Sequence, residues 1–405
     1  MLRIVFFLSL LTATVAAAAA PDGDAGVQVD SDVLAEFRRI DALSAQGKYE
    51  EATGKAQALL PRLEKSTEGH ALLLYNLAKL YGLQKHYAHA AMILENCLSL
   101  GALPAEDALR ARFELGQYHA IAENFDQAAE ALTVWVKQSP DPKPEQYLLL
   151  ADVYQRLKKN KEAAAYLDQA VAHSTQPRAE WLQQLLGLYY QEHDLPNCIR
   201  VLTHTVEHYP ENPQYWNQLT GIYQEAGKEK EALAAQQLMY KKGLLKQPAQ
   251  IVQLAQVMRY RGLTARAAEL MQREMDGGHI ESNPKNLELM ANAWLEAKEL
   301  KKAAATLEKS LTLAYDGNCQ HRIGQIYSEL HDWPRAQQSL ANAISKGGLK
   351  NAGGAYLLLG LAHYRLNAKH QAKEAFQKAL ETQSVRNTAK QWLEHLEKEN
   401  PSRRG

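Results

Sequence analysis

Beyond residue 20 every apolar stretch of this 405-residue chain is interrupted by charge within a few positions, and small residues return on a schedule. Ala52, Ala90, Ala128, Ala163, Cys198, Ala232, Ala267, Ala303, Ala336 and Ala372 follow one another at intervals of 33 to 38 residues. Twelve residues before most of them stands a second small residue: Ala78, Gly116, Ala151, Thr220, Ala255, Ala291, Gly324 and Gly360. Three residues after these comes a large group in most units, namely Tyr81, Tyr154, Tyr223, Met258, Trp294 and Tyr327. Small residues at facing positions let two helix axes approach to about 8–10 Å while large ones fill the gaps between ridges. The spacing therefore predicts an antiparallel helix pair written about ten times. One such pair cannot bury both of its apolar faces, so the pairs must stack into a solenoid. Stops fall between pairs, at Ser139-Pro140, Tyr209 to Pro213, Gly243, Gly277-Gly278, Asn283-Pro284 and Gly347-Gly348.

This spacing resembles the tetratricopeptide repeat, which carries large residues at positions 4, 7 and 11, small ones at 8, 20 and 27, and an aromatic or Leu at 24. The unit from Tyr215 to Gly243 fits with Trp216, Leu219, Thr220, Tyr223, Ala232 and Met239, and the unit from Ala355 to Ala379 with Tyr356, Leu359, Gly360, Ala372, Phe376 and Ala379. Departures are Thr220 for the usual Gly, Gln236 in an aromatic slot, and a fourth complete unit that reads one residue short between Gly187 and Cys198. The first unit, around Phe37, Tyr49 and Ala52, is degenerate enough to be an N-terminal cap. The expected fold class is all-α, an α-α superhelix of about nine or ten helix pairs over residues 32–383. A capping helix over 384–399 contains Trp392, Leu393 and Leu396, and a short tail covers 400–405.

At the other end, Met1 to Arg3 supply one positive charge, Ile4 to Val15 are mostly apolar, and Ala16 to Ala20 are small. That order predicts a signal peptide over 1–20 cut after Ala20, followed by a flexible segment over 21–31. The alternative is an uncleaved anchor, whose 17 residues from Ile4 to Ala20 lie at the low edge of a bilayer span. No Cys lies near the cut, which excludes a lipid-anchored lipoprotein, and no later segment is a candidate span, so cleavage leaves no integral membrane segment. The expected location is the periplasm of a bacterial envelope.

Composition narrows the partner. Forty-six Lys and Arg against 46 Asp and Glu leave no clustered positive charge to displace counterions from phosphate, so nucleic acid is not an expected partner. No Gly-rich phosphate loop, His-Glu-x-x-His, Cys-x-x-Cys or Gly-x-Ser-x-Gly occurs. With repeats filling the chain, the expectation is a protein that is not an enzyme, with no cofactor and no metal. His86 and His89, or His204 and His208, share a helix face but lack a third ligand in register. Cys97, Cys198 and Cys319 lie about three repeats apart, too far for a bridge that needs Cα atoms within about 7 Å.

Stacked pairs form a groove lined by the first helix of each pair, with positions 5, 9, 12 and 13 exposed. These positions hold Tyr75, Lys79, Phe113, Gln117, Asp152 and Arg156 in the first half. In the second half they hold Asn217, Gln256, Arg259, Tyr260, Glu288, Asn292, His321, Gln325, Tyr364 and Arg365. Amides, aromatics and Arg suit an extended peptide or a helix. Asn217, Gln256, Arg259, Tyr260, Asn292, Gln325, Tyr364 and Arg365 are the expected partner-binding set. Position 5 carries no Lys, so the carboxylate clamp of some family members is not supported.

A narrower resemblance covers the chain beyond Tyr209, in Tyr215 to Leu219, Tyr240 to Leu245, Asn286 to Trp294 and Lys346 to Lys350. These segments look like a group of exported bacterial tetratricopeptide proteins often encoded beside TonB, ExbB and ExbD. The resemblance implies a periplasmic accessory of TonB-dependent uptake of iron siderophores or haem. The alternative is a scaffold for another envelope assembly, such as polysaccharide export or cell-wall biogenesis.

Overall fold

The computed structural model describes residues 31–65 and 67–399. The expected signal peptide over 1–20, nearly all of the segment 21–31 and the tail 400–405 lie outside the described residues. Among the described residues there are 21 α-helices, one short 3-10 turn at Leu60–Arg62 and no strand. They form two compact units, one ending at His208 and the other beginning at Tyr209.

The first unit holds five helix pairs: α1 (Ser31–Ala45) with α2 (Tyr49–Leu59), α3 (Glu68–Leu83) with α4 (Tyr87–Ser99), α5 (Ala105–Ile121) with α6 (Phe125–Gln138), α7 (Pro144–Arg156) with α8 (Asn160–Ala172), and α9 (Ala179–Gln191) with α10 (Leu195–His208). The second holds five more and a single final helix. These are α11 (Pro213–Glu225) with α12 (Glu229–Lys241), α13 (Pro248–Tyr260) with α14 (Thr264–Asp276), α15 (Pro284–Glu296) with α16 (Leu300–Leu313), α17 (Gly317–Glu329) with α18 (Trp333–Lys346), α19 (Ala352–Arg365) with α20 (Lys369–Ala379), and α21 (Arg386–Lys398). Inside each unit every helix packs against the one before it and the one after it. This is the all-α repeat fold that the spacing predicts.

The core follows the schedule of small residues. All ten anchors from Ala52 to Ala372 are 3% exposed or less. Four residues on, one helical turn away on the same face, stand Ala56, Leu94, Leu132, Leu167, Leu202, Met271, Leu307, Leu340 and Phe376, each exposed by no more than 1%. The tenth residue of that row, Gln236, is half-buried and its Oε1 is buried without a partner. Twelve residues before the anchor the chain must be small because the large residue of the second helix presses there. A Cβ on Gly116 would lie 2.4 Å from Leu132 Cγ, and one on Gly324 2.6 Å from Leu340 Cγ.

One register expectation is corrected. The fourth complete unit is not a residue short: α9 and α10 are joined by three residues, as in every other pair. Leu186, twelve residues before Cys198, takes the buried place, while a Cβ on Gly187 would meet nothing within 4 Å. Gly187 attracts the alignment by residue type, but it faces away from the joint.

The turns inside the pairs share one conformation. Each is three residues long, and its middle residue has φ between 55° and 80°: Gly47, Lys85, Glu123, Lys158, His193, Gly227, Gly262, Lys298, His331 and Asn367. In the pair α15 and α16, the Lys298 N–H donates to Leu295 O at 3.0 Å and the Glu299 N–H to Trp294 O at 2.9 Å. That pairing absorbs carbonyls left open at a helix end, and it requires the left-handed residue between them. Between pairs, Pro at the first helical position starts α7, α11, α13 and α15. The last helix closes the second unit: Trp392 stacks on Phe376 at 5.6 Å and 9°, and Leu396 is buried.

Candidate partner-binding face

The residues expected to bind a partner all lie in the second unit, on its first helices. Asn217 on α11, Gln256 on α13 and Gln325 on α17 are exposed. Tyr260 ends α13 with 85% of its surface open, far more than any other large apolar group among the described residues. The Arg261 guanidinium sits 5.7 Å from its ring centroid and is itself paired with Glu229.

Of the other members, Arg259, Asn292 and Tyr364 are hydrogen-bonded within the protein. Arg259 reaches Glu296 on α15 at 3.2 Å, while its Nε is buried without a partner. Asn292 accepts from Arg322 of α17, whose second arm donates to Glu288 Oε1 at 3.1 Å. Neighbouring first helices are thus tied across their face by two guanidinium groups. His321, one position from Arg322, is 6% exposed with Nε2 unpartnered, and burial pulls its pKa below the ordinary imidazole value. Tyr364 is committed to the final helix, with its hydroxyl 3.0 Å from His395 Nε2 and donating to Glu399 Oε1 at 2.8 Å. Arg365 is exposed at the end of α19, 5.7 Å from the Trp333 ring.

The structure therefore sorts the eight expected residues into two groups. Asn217, Gln256, Tyr260, Gln325 and Arg365 are exposed, Tyr260 and Arg365 each with a cation–ring contact, whereas Arg259, Asn292 and Tyr364 are hydrogen-bonded to other helices of the unit. Glu296 and Arg322 were missing from the expected set. Their signal is cross-repeat: Arg259 with Glu296 and Glu288 with Arg322 are opposite charges 37 and 34 residues apart, close to one repeat.

The corresponding face of the first unit is built differently. Tyr75 donates to Glu114 Oε1 at 3.0 Å, and Lys79 lies 5.4 Å from the Tyr75 ring centroid. Glu114 Oε2 is buried without a partner, and burial holds that carboxyl above its ordinary range. Phe113 packs on Trp135 at 4.6 Å, Gln117 is half-buried, and Arg156 lies 3.9 Å from Asp152 and 6.0 Å from the Phe125 ring.

Other sequence candidates fall into place around these faces. The His204 and His208 rings are 4.2 Å apart, but His208 Nδ1 is taken by the His204 carbonyl at 3.0 Å. His86 and His89 both lie against Tyr81. Among the described residues no group of three or more His, Cys, Asp or Glu is placed to hold a metal ion. None of the three cysteines is in a disulfide; Cys97 is buried against Ala71 O at 3.1 Å, and burial pushes its thiol up to about 11. Among the described residues no helix is long and apolar enough to cross a membrane.

Helix pairs with a small residue in the first helix pressed by a large one sixteen positions on make up an all-α superhelical repeat fold of the tetratricopeptide type. The tetratricopeptide-repeat family model matches residues 145–172 and 353–384, which are the pairs α7 with α8 and α19 with α20. No curated protein matches the chain. Among solved structures the chain is similar to a tetratricopeptide repeat protein from Parabacteroides merdae, at 12% identity over 74% of this chain and 98% of that one, with a TM-score of 0.36. It is similar to MamA from Desulfovibrio magneticus RS-1 at 16% identity over 45% and 97%, TM-score 0.36. It is also similar to YrrB, described as a tetratricopeptide protein with an unusual peptide-binding site, at 18% identity over 42% and 84%, TM-score 0.31. At these scores no function passes from those proteins to this chain.

Proposed function

We propose that the chain is a non-catalytic scaffold of the bacterial periplasm, exported through the leader at residues 1–20, whose second unit grips an extended segment of an envelope protein. The observation that carries this reading is the row Asn217, Gln256, Tyr260 and Gln325, exposed on first helices whose neighbouring arginines are already tethered. A side-chain amide offers a donor and an acceptor together, which matches the backbone of an extended peptide, and an open tyrosine ring offers a stacking surface. Because Arg259 and Arg322 are held by Glu296 and Glu288, less side-chain freedom is lost when a partner arrives.

The likeness of the second half to exported proteins encoded beside TonB, ExbB and ExbD supports one of those components as the partner. The role would then be accessory to TonB-dependent uptake of iron siderophores or haem. Affinity capture from solubilised envelopes of iron-starved cells tests this, using the full chain and the quadruple variant N217A, Q256A, Y260A, Q325A. TonB, ExbB or ExbD recovered with the first and lost with the second is the expected result. Recovery of none of them, or equal recovery with both, overturns it.

A further inference from the structure

A concavity of about 710 Å³ lies between the second helices α14 and α16, over α15. That size falls within the range of small-molecule sites. Its floor is apolar, formed by Met290 and Trp294 of α15 with Ala305 of α16. Trp294 is 4% exposed, and its indole Nε1 is buried without a hydrogen-bond partner. A buried donor left unpaired costs free energy that an incoming acceptor restores.

The walls say which acceptor. Lys302 and Lys309 stand seven residues apart, two helical turns, so both face the cleft from α16. The Lys302 ammonium lies 4.4 Å from the Trp294 ring centroid, with Glu299 at 3.5 Å as its exposed counter-ion. On the opposite wall Arg273 is occupied by Tyr240 at 2.9 Å, and Asp276 accepts from Gln272 at 2.8 Å. Because the Gln272 amide is neutral, Asp276 keeps its charge and stands with Glu269 as the two carboxylates of that wall. Facing that wall are the Lys309 ammonium and the partly engaged Lys302 ammonium of α16 and the indole N–H of Trp294 on α15, around an apolar floor.

We propose that this cleft binds a small amphipathic carboxylate, its apolar body over Met290 and Trp294 and its anionic end taken by Trp294 Nε1, Lys302 and Lys309. Glu269 and Asp276 oppose such an anion, so they limit affinity. The shared chemistry, a carboxylate on an apolar body, occurs both in free carboxylic acids and at the end of a peptide whose last residue is apolar.

The test is titration of the full chain, labelled with ¹⁵N-tryptophan, with 4-phenylbutyrate, its uncharged amide, and N-acetyl-Ala-Ala-Phe. Trp294→Phe identifies the indole signal to follow. The expected result is movement of that one signal among six tryptophans, binding at least tenfold weaker for the amide and for Lys309→Ala, and tighter binding for Glu269→Gln. Tighter binding of the tripeptide assigns a peptide end as the source; tighter binding of phenylbutyrate assigns a free acid. If Trp294→Phe fails to fold, the exposed variants Lys302→Ala and Lys309→Ala still report the loss. An unmoved indole signal, equal response to acid and amide, or indifference to both lysine variants overturns the proposal.

Discussion

Gly360 and Phe376 stand so close that a Cβ on the glycine would lie 2.5 Å from Phe376 Cε1. The same ring also stacks on Trp392 of the final helix. A ring held by both neighbours has little room to yield. Gly360→Ala is therefore expected to cost about 1–3 kcal/mol through overpacking. Phe376→Leu in the same chain recovers part of that loss, so the two substitutions are less costly together than as independent changes. Urea unfolding of both single variants and the double variant checks this; strictly additive losses would mean the two residues do not press on each other.

Lys298 has φ of 61° in the turn between α15 and α16, a conformation unfavourable for a residue with a Cβ by about 1–2 kcal/mol. Glycine removes that strain but gives back roughly 0.5–1 kcal/mol in chain entropy. Lys298→Gly is expected to stabilise the second unit by up to about 1 kcal/mol, and Gly227→Ala, at the same place in the pair α11 and α12, to destabilise by a similar amount. Thermal unfolding of the two variants separates the expected signs.

The contrast between these two positions explains how much of the fold was legible in the sequence. The partners Gly360 and Phe376 are recognisable from residue size alone, because sterics at the joint admits one small and one large side chain. The turn is invisible by type: Lys, Glu, His and Asn occupy seven of its ten middle positions, and only the hydrogen-bond pattern around them fixes the left-handed residue. Gly187 shows the opposite failure, a small residue with no packing duty beside the buried Leu186. On the candidate face, exposure followed from repeat position for Asn217, Gln256 and Gln325. The ties from Arg259 to Glu296 and from Arg322 to Glu288 depend on side-chain reach between repeats, which spacing does not encode.

Gln236 occupies the row where the other nine units bury an apolar group, and its Oε1 has no partner. Leaving a buried acceptor unsatisfied costs about 1–3 kcal/mol. Gln236→Leu is expected to stabilise by about 1–2 kcal/mol, since it removes that cost and restores apolar packing between α11 and α12. Guanidinium unfolding measures it. A loss of stability would show that the amide is satisfied in solution.

Glu114 gives the first unit a pH dependence of defined sign. Burial raises its pKa above the ordinary 4.5, and the opposing pull of Lys79, the Tyr75 hydroxyl and Arg110 does not cancel that effect. The folded chain therefore holds this proton more tightly than the unfolded chain. Its contribution is fully present below pH 4.5 and is lost as pH rises through the raised folded pKa. In its ionised form the carboxylate keeps one oxygen buried without a donor. Glu114→Gln keeps the acceptor for Tyr75 and supplies N–H groups in place of the unpaired oxygen. Its advantage over the parent chain is expected to be larger at pH 7 than at pH 4, read from urea midpoints at the two values. An advantage independent of pH would assign the effect to packing rather than to ionisation.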